Sequence, residues 1–155
     1  AELVINAVND AAVAAPTHHW IKDLPDEPVW VRGDHARLHQ LVSNLLSNAS
    51  VHTPPGVTVT TGITCHRSGP GVPYAELTVA DDGPGIDADL LPRLFERFVR
   101  ADKSRSDGSG IGLGLAIVSS IVKAHHGSVT AESADGRTVF RVRLPMIENS
   151  MADSA

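Results

Sequence analysis

Between Asp34 and Ser50 the chain reads DHARLHQLVSNLLSNAS, and this stretch restricts the fold more than any other. Leu38, Leu41, Val42, Leu45, Leu46 and Ala49 follow the spacing i, i+3, i+4, i+7, i+8, i+11, which predicts a helix with one apolar stripe. Asp34 is placed to cap it, because an aspartate side chain accepts from the free amides of a first helical turn. Gln40, Asn44 and Asn48 recur at i, i+4 along the edge of that stripe. Asparagine is a poor helix former, so two of them where the buried face meets the open side need a reason. Two readings stand: a solvated or hydrogen-bonded helix face, or a row of oxygen donors for a hard cation such as Mg²⁺.

A one-sided helix must lie on something, and the remaining pattern supplies a sheet. VTVTTGITCH and YAELTVAD alternate as strands across the turn SGPGVP. SVTAES and TVFRVRLP form a second hairpin across Asp135-Gly136, a type I′ pair. HHWIKDLP and PVWVRG read as two further short strands. Leu3 to Ala15 has helical spacing and ends at Pro16, and Asp87 to Phe98 suggests one or two short helices broken at Pro92. Leu113 to His126 is a second long helix, with Ile117, Val118, Ile121 and Val122 inward and Gly127 as its stop. Val99 to Gly108 is polar and basic without an apolar period, the pattern of a mobile loop. Met146 to Ala155 lacks periodicity and reads as a disordered tail after a single domain spanning residues 1–145. Two hairpins interleaved with helices predict an α+β two-layer sandwich, a mixed, mostly antiparallel sheet covered by helices on one face.

Composition removes several classes of function. A net charge of −5 argues against a nucleic-acid surface as the main business. No apolar run approaches the roughly 18 residues of a membrane span. The lone Cys65 rules out an intrachain disulfide and reads as a small strand residue. The chain begins at Ala1 rather than Met, as a fragment of a longer protein would.

Two further stretches bear on chemistry. In DDGPGI, Asp81 closes a strand, and Gly83 and Gly85 let backbone turn sharply and approach a flat ligand. A carboxylate there can accept the exocyclic amine proton of adenine, whereas guanine would present it a mismatched carbonyl. An unsatisfied buried polar group costs about 1–3 kcal/mol, enough for tenfold discrimination. A plain surface turn is the other reading. In GSGIGLGLAIV the glycines at 108, 110, 112 and 114 run into a helix. The GxGxxG fingerprint fails from every starting glycine, and no Gly-Lys pair exists for a P-loop. What remains is a glycine loop whose helical amides favour anions, preceded by Arg100, Lys103 and Arg105, or else a flexible hinge. His35 and His39 stand at i, i+4 but lack a third metal ligand with convincing spacing, so a solvated helix face is the simpler reading.

Taken in order, these stretches resemble the catalytic ATP-binding domain of two-component sensor histidine kinases, in the superfamily shared with gyrase, chaperone and mismatch-repair ATPases. LVSNLLSNASVHTPPG looks like the family's N box, VADDGPGI like its G1 box, LFERFVRADKSRS like its F box and GSGIGLGLAIV like its G2 box. HHGSVTAESADGRTVFRVRLP is similar to the closing hairpin, and within the family the chain looks like a kinase of the PrrB type. The resemblance implies a Bergerat-type sandwich that binds ATP and Mg²⁺. It implies Asn48 as the main metal ligand, with Asn44 helping to hold metal and phosphates. It implies Asp81 on the adenine amine, with Gly83, Gly85, Ile86 and Thr138 around it, and Phe95 and Phe98 as anchors of a lid. Arg100, Lys103 and Arg105 would meet the phosphates, and Gly110, Gly112, Leu113 and Gly114 would let the lid close.

The chain departs from that family at three places. Gln40 stands where Glu is common, and a neutral amide cannot act as a general base; it would orient water or the acceptor. Val51 and His52 stand where Lys-Tyr is common, so a phosphate-contacting lysine is missing. The phosphoacceptor histidine motif is absent from the chain and is expected upstream, on a dimerising helical domain. The partners implied are therefore ATP, that histidine-containing domain and the receiver domain of a response regulator, with no nucleic acid. The domain alone is expected to be monomeric, within a homodimeric and membrane-bound sensor whose kinase domain is cytoplasmic. An anti-sigma type serine kinase of the same superfamily, or a non-catalytic nucleotide sensor, are the rival readings.

Overall fold

The computed structural model describes residues 1–67, 69–96, 111–134 and 136–147, with the backbone alone at 111–113. Helix α1 (Glu2–Ala14) and strand β1 (His19–Asp23) come first, then helix α2 (His35–Val51) and the hairpin β2 (Thr58–His66) and β3 (Tyr74–Asp81). A 3-10 turn at Leu91–Arg93, helix α3 (Ile111–Ala124) and the hairpin β4 (Ser128–Ala134) and β5 (Arg137–Pro145) complete it. The sheet order is β1-β2-β3-β5-β4. Only the β1–β2 pair is parallel; the other three are antiparallel. This is the mixed, helix-covered sheet that the sequence predicts.

The apolar stripe behaves as its spacing requires. Leu38, Leu41, Val42, Leu45, Leu46 and Ala49 are all buried, and the Asp34 side chain accepts from the Arg37 amide at 3.1 Å as the N-cap. They pack on inward residues of the strands, Val59, Leu77, Val79, Phe140 and Val142, and on Val4, Ala7 and Val8 of α1 and Leu115, Val118, Ile121 and Val122 of α3. Burial of this apolar surface is the main term holding the two layers together.

The strand expected at PVWVRG does not form. Val31 makes an isolated bridge to Met146, because Pro28 removes one amide and Gly33 turns the chain away. The same bridge carries order past the expected start of the tail: Met146 N–H donates to Pro73 O and Ile147 N–H to Trp30 O, each at 2.9 Å. Residues 148–155 lie outside the described chain. Pro92 reduces the expected helices near Asp87 to a single 3-10 turn, with Phe98 outside the described residues. Helix α3 starts two residues earlier than the periodicity indicates, at Ile111. Its end also differs in cause. His126, not Gly127, takes the left-handed conformation, with φ 62°. Gly127 is required because a Cβ there would strike the Arg143 carbonyl.

Candidate functional site

Asp81 is the last residue of β3, and the register places it opposite Thr138 of β5, which in turn lies opposite Ser133 of β4. All three therefore share the inward face at one end of the sheet, beyond the reach of the apolar core. Across the gap stands the C-terminal end of α2, with Asn48. The cleft between them has a volume of about 320 Å³, within the range of small-ligand sites. Asn48, His52, Thr53, Asp81, Asp87 and Thr138 supply its polar lining, and Ile86, Leu90, Leu94 and Phe140 an apolar wall. A second cavity, about 280 Å³ between α1, α2 and the sheet, is lined almost wholly by apolar side chains and gathers none of the candidate residues.

The turn after Asp81 is built around its carboxylate. Gly83 N–H donates to Asp81 Oδ1 at 3.0 Å. A Cβ on Gly83 would stand 2.8 Å from Thr53 Cγ2, so the backbone must stay bare to pass Thr53, just beyond the end of α2. Gly85 has φ +90°, a left-handed value that favours glycine, and a Cβ there would meet Ser133 Oγ at 2.9 Å. Ser133 Oγ accepts from Ile86 N–H at 2.8 Å and contacts Thr138 Oγ1 at 3.1 Å, pinning the far limb of the turn to the closing hairpin. Nothing in the sequence pattern marked Ser133, because the link depends on register across strands distant in the chain.

The electrostatics of the cleft are those of unspent acceptors. Asp81 is only 7% exposed, and burial pushes its carboxyl above the ordinary carboxylate range. The Gly83 N–H pulls it back, Asp82 raises it further and His18 lowers it. Asn48 Oδ1 is buried and has no hydrogen-bond partner among the described residues. Buried polar atoms are nearly always satisfied, so an unpaired amide oxygen on a residue that lines the cleft points to a ligand. A neutral amide oxygen left without a partner fits a hard divalent cation, which passes the chemical test for Mg²⁺ at Asn48.

The other expected residues divide in three ways. Asn44 faces the seam between α2 and α3, where its Nδ2 donates to the Gly114 carbonyl at 3.5 Å. Gly114 has open space where a Cβ would project. Phe95 stacks edge-on against Phe140, ring centroids 6.2 Å apart. Gln40 is exposed on α2 and does not line the cleft. Gly112 and Leu113 belong to the first turn of α3, with only their backbone described. Phe98, Arg100, Lys103, Arg105 and Gly110 lie outside the described residues. Away from the cleft, His39 approaches Asp10 at 3.9 Å and Ser43 at 3.4 Å, a helix-face pairing. Thr53 and His18 were not foreseen; both sit under the Asp81 turn. Among the described residues, no helix is long and apolar enough to cross a membrane.

A helix-covered mixed sheet, with an asparagine-bearing helix facing an Asp-x-Gly turn, defines a nucleotide-binding ATPase of the gyrase and kinase type. The chain belongs to the histidine kinase-, DNA gyrase B- and HSP90-like ATPase family, whose model matches residues 33–148. Similar proteins within it include sensor histidine kinases, and the chain is similar to their catalytic ATPase domain. It is 78% identical over 154 residues to the sensor histidine kinase TrcS of Mycobacterium tuberculosis, covering 99% of this chain and 30% of TrcS. The chain thus spans about a third of that relative's length. Among solved structures it is similar to the mycobacterial sensor histidine kinase MprB, with a TM-score of 0.78, 33% identity and 94% of each chain covered. Full-length ShkA in complex with AMPPNP aligns with a TM-score of 0.73 and 27% identity, over 94% of this chain and 29% of that one.

Proposed function

We propose that the chain binds Mg-ATP in the cleft between α2 and the Asp81 turn and transfers the γ-phosphoryl group to a histidine on an upstream dimerising domain. One observation carries this reading: the buried acid Asp81 and Asn48, whose amide oxygen has no partner among the described residues, line one cleft of about 320 Å³ from different elements. Asp81 accepts the exocyclic amine proton of adenine, with Gly83, Gly85, Ile86 and Thr138 shaping the base site. Asn48 holds Mg²⁺, Asn44 assists at the α2–α3 seam, and Gly114 leaves room for phosphate to approach the start of α3. Magnesium supplies charge neutralisation on the phosphates. Phe95 and Phe98 anchor the lid, Gly110, Gly112 and Leu113 belong to its hinge, and Arg100, Lys103 or Arg105 takes up the charge that the missing lysine would have carried.

Transfer requires in-line attack by an acceptor imidazole nitrogen on the γ-phosphorus. An N–P bond forms, the bond to the β-γ bridging oxygen breaks, and ADP leaves with the electron pair while the imidazole loses its proton. Gln40, being neutral, orients rather than deprotonates. The AMPPNP complex of ShkA supports the nucleotide, and the names of TrcS and MprB support the kinase over a serine kinase or a silent sensor. In the whole protein, a membrane-bound homodimer, the phosphoryl group then passes to a response regulator receiver domain.

Mixing the chain with an upstream acceptor domain and γ-labelled Mg-ATP should yield acid-labile, base-stable phosphohistidine on the acceptor. Normal ATP binding with no transfer would sink the kinase reading and leave the nucleotide sensor.

A further inference from the structure

His18 is a buried polar residue that the reaction above does not use. It precedes β1, is 8% exposed, and its Nε2 lies 2.8 Å from Thr53 Oγ1. The Thr53 hydroxyl gives its single hydrogen to the Ala49 carbonyl. It can therefore only accept from His18, so Nε2 must carry a proton and donate. In the neutral ring Nδ1 is then a bare lone pair, and it is buried with no partner among the described residues. Packing alone would favour Leu or Phe at such a place, since neither leaves an orphaned nitrogen. What the imidazole adds over an apolar ring is the Nε2 donor to Thr53.

That donor reaches the base site in two contacts. Thr53 lines the cleft, and its methyl sits where a Cβ of Gly83 would collide. Gly83 N–H in turn holds Asp81 Oδ1. Backbone bonds fix both ends of the strut: Gly56 N–H to Thr17 O at 2.9 Å and His19 N–H to Val57 O at 3.0 Å. Trp20, 6.1 Å from the His18 ring and bonded through Nε1 to Ala15 O at 3.0 Å, closes the other side.

We propose that His18 is a positioning residue for base recognition: through Thr53 it seats the Gly83 turn and so aims the Asp81 carboxylate into the cleft. This rests on the reading of the cleft as an adenine site. His18 and Thr53 act as one unit, and adenine selectivity is the property they set.

The test measures ATP and GTP affinity of the full 155-residue chain, with Tm, for His18→Leu, His18→Gln, Thr53→Val and the His18→Leu/Thr53→Val pair. Loss of one buried hydrogen bond predicts that His18→Leu and Thr53→Val each weaken ATP about five- to tenfold. The preference over GTP narrows, the double variant is no worse than either single one, and His18→Gln, which can donate from its amide, restores most of the loss. Lower Tm with unchanged affinity and selectivity, or additive effects in the pair, overturns the proposal. If His18→Leu does not fold, Thr53→Ser decides, because it keeps the hydroxyl and removes only the methyl. Narrowed selectivity at nearly constant Tm supports the strut, and unchanged selectivity overturns it. A wild-type chain that binds no ATP overturns the adenine site itself, whereas ATP binding that all variants share overturns only the role of His18.

Discussion

Strand β3 carries two buried acids with opposite fates. Glu76 and Asp81 are five positions apart, an odd number, so they face opposite sides of the sheet. Their exposures are nearly equal, 8% and 7%. Glu76 lies on the outer face and is fully engaged: Arg143 Nε donates to it at 2.8 Å and Arg141 approaches at 3.7 Å. Arg141 continues to Glu132 at 3.5 Å, and Arg143 lies over the Tyr74 ring, which stacks on His66. Asp81, on the inner face, accepts one backbone amide and forms no ion pair among the described residues. Equal burial with unequal pairing separates a structural acid from one held ready for something outside the chain. Burial alone does not mark a site; burial without partners does.

The largest effect should come from the unpaired acid. Asp81→Asn keeps the shape and the acceptor for Gly83 but replaces a charge-assisted bond to adenine. Hydrogen bonds to charged groups contribute about 1.5–3 kcal/mol, so ATP affinity should fall roughly ten- to a hundredfold. The asparagine amide can also donate to a guanine carbonyl, so discrimination against GTP should shrink. Calorimetric titration of both nucleotides checks this, and an unchanged ATP:GTP ratio would remove Asp81 from base recognition.

Asn48→Leu comes next and should move two properties in opposite directions. It deletes a buried oxygen that lacks a partner, which costs the unliganded fold about 1–3 kcal/mol, so Tm should rise by a few degrees. The Mg²⁺-dependent part of ATP binding should disappear. A fall in Tm would mean that the oxygen is satisfied in solution and not kept for a cation.

How far the sequence reached follows the same division. The α2 stripe, both hairpins and the Asp34 cap were legible because each obeys a local period or a local turn rule. The placing of Asn48 and Asp81 on one cleft was legible only through resemblance, since they stand 33 positions apart and no periodicity spans that gap. Thr53 and Ser133 escaped altogether. A lone hydroxyl carries no sequence signal, and its importance arises from a register pairing or from a glycine passing underneath. PVWVRG was misread because alternation predicts an extended strand but not whether a neighbour offers it a free edge.

The paired acid should show the reverse profile. Glu76→Gln weakens the bonds to Arg143 and Arg141 on a half-exposed face, where solvent screens much of the attraction. Tm should drop by a few degrees, while ATP affinity and base preference stay within twofold of wild type, because β3 keeps its register. A loss of ATP affinity as large as that of Asp81→Asn would show that the two faces of the sheet are coupled and that the distinction drawn from pairing fails.

The smallest predicted effect is a matter of sign. Burial raises the folded-state pKa of Asp81 above its unfolded value, so the protonated form suits the native chain better than the ionised one. Its contribution to stability is therefore fully present below the unfolded carboxylate pKa and is lost as pH rises through the folded value. Asp81→Asn cannot ionise and lacks that loss. The difference in Tm between variant and wild type, both without nucleotide, should be least in acid, grow in favour of the variant through the weakly acidic range and level off towards neutrality. ATP affinity of the wild type should follow the opposite course, rising with pH as the carboxylate forms, since only the ionised group offers a charged acceptor to the adenine amine. A Tm difference independent of pH would mean that desolvation does not govern this carboxyl in solution. Opposed trends in stability and binding would identify one buried group as the source of both, a cost to the empty fold that is recovered when nucleotide arrives.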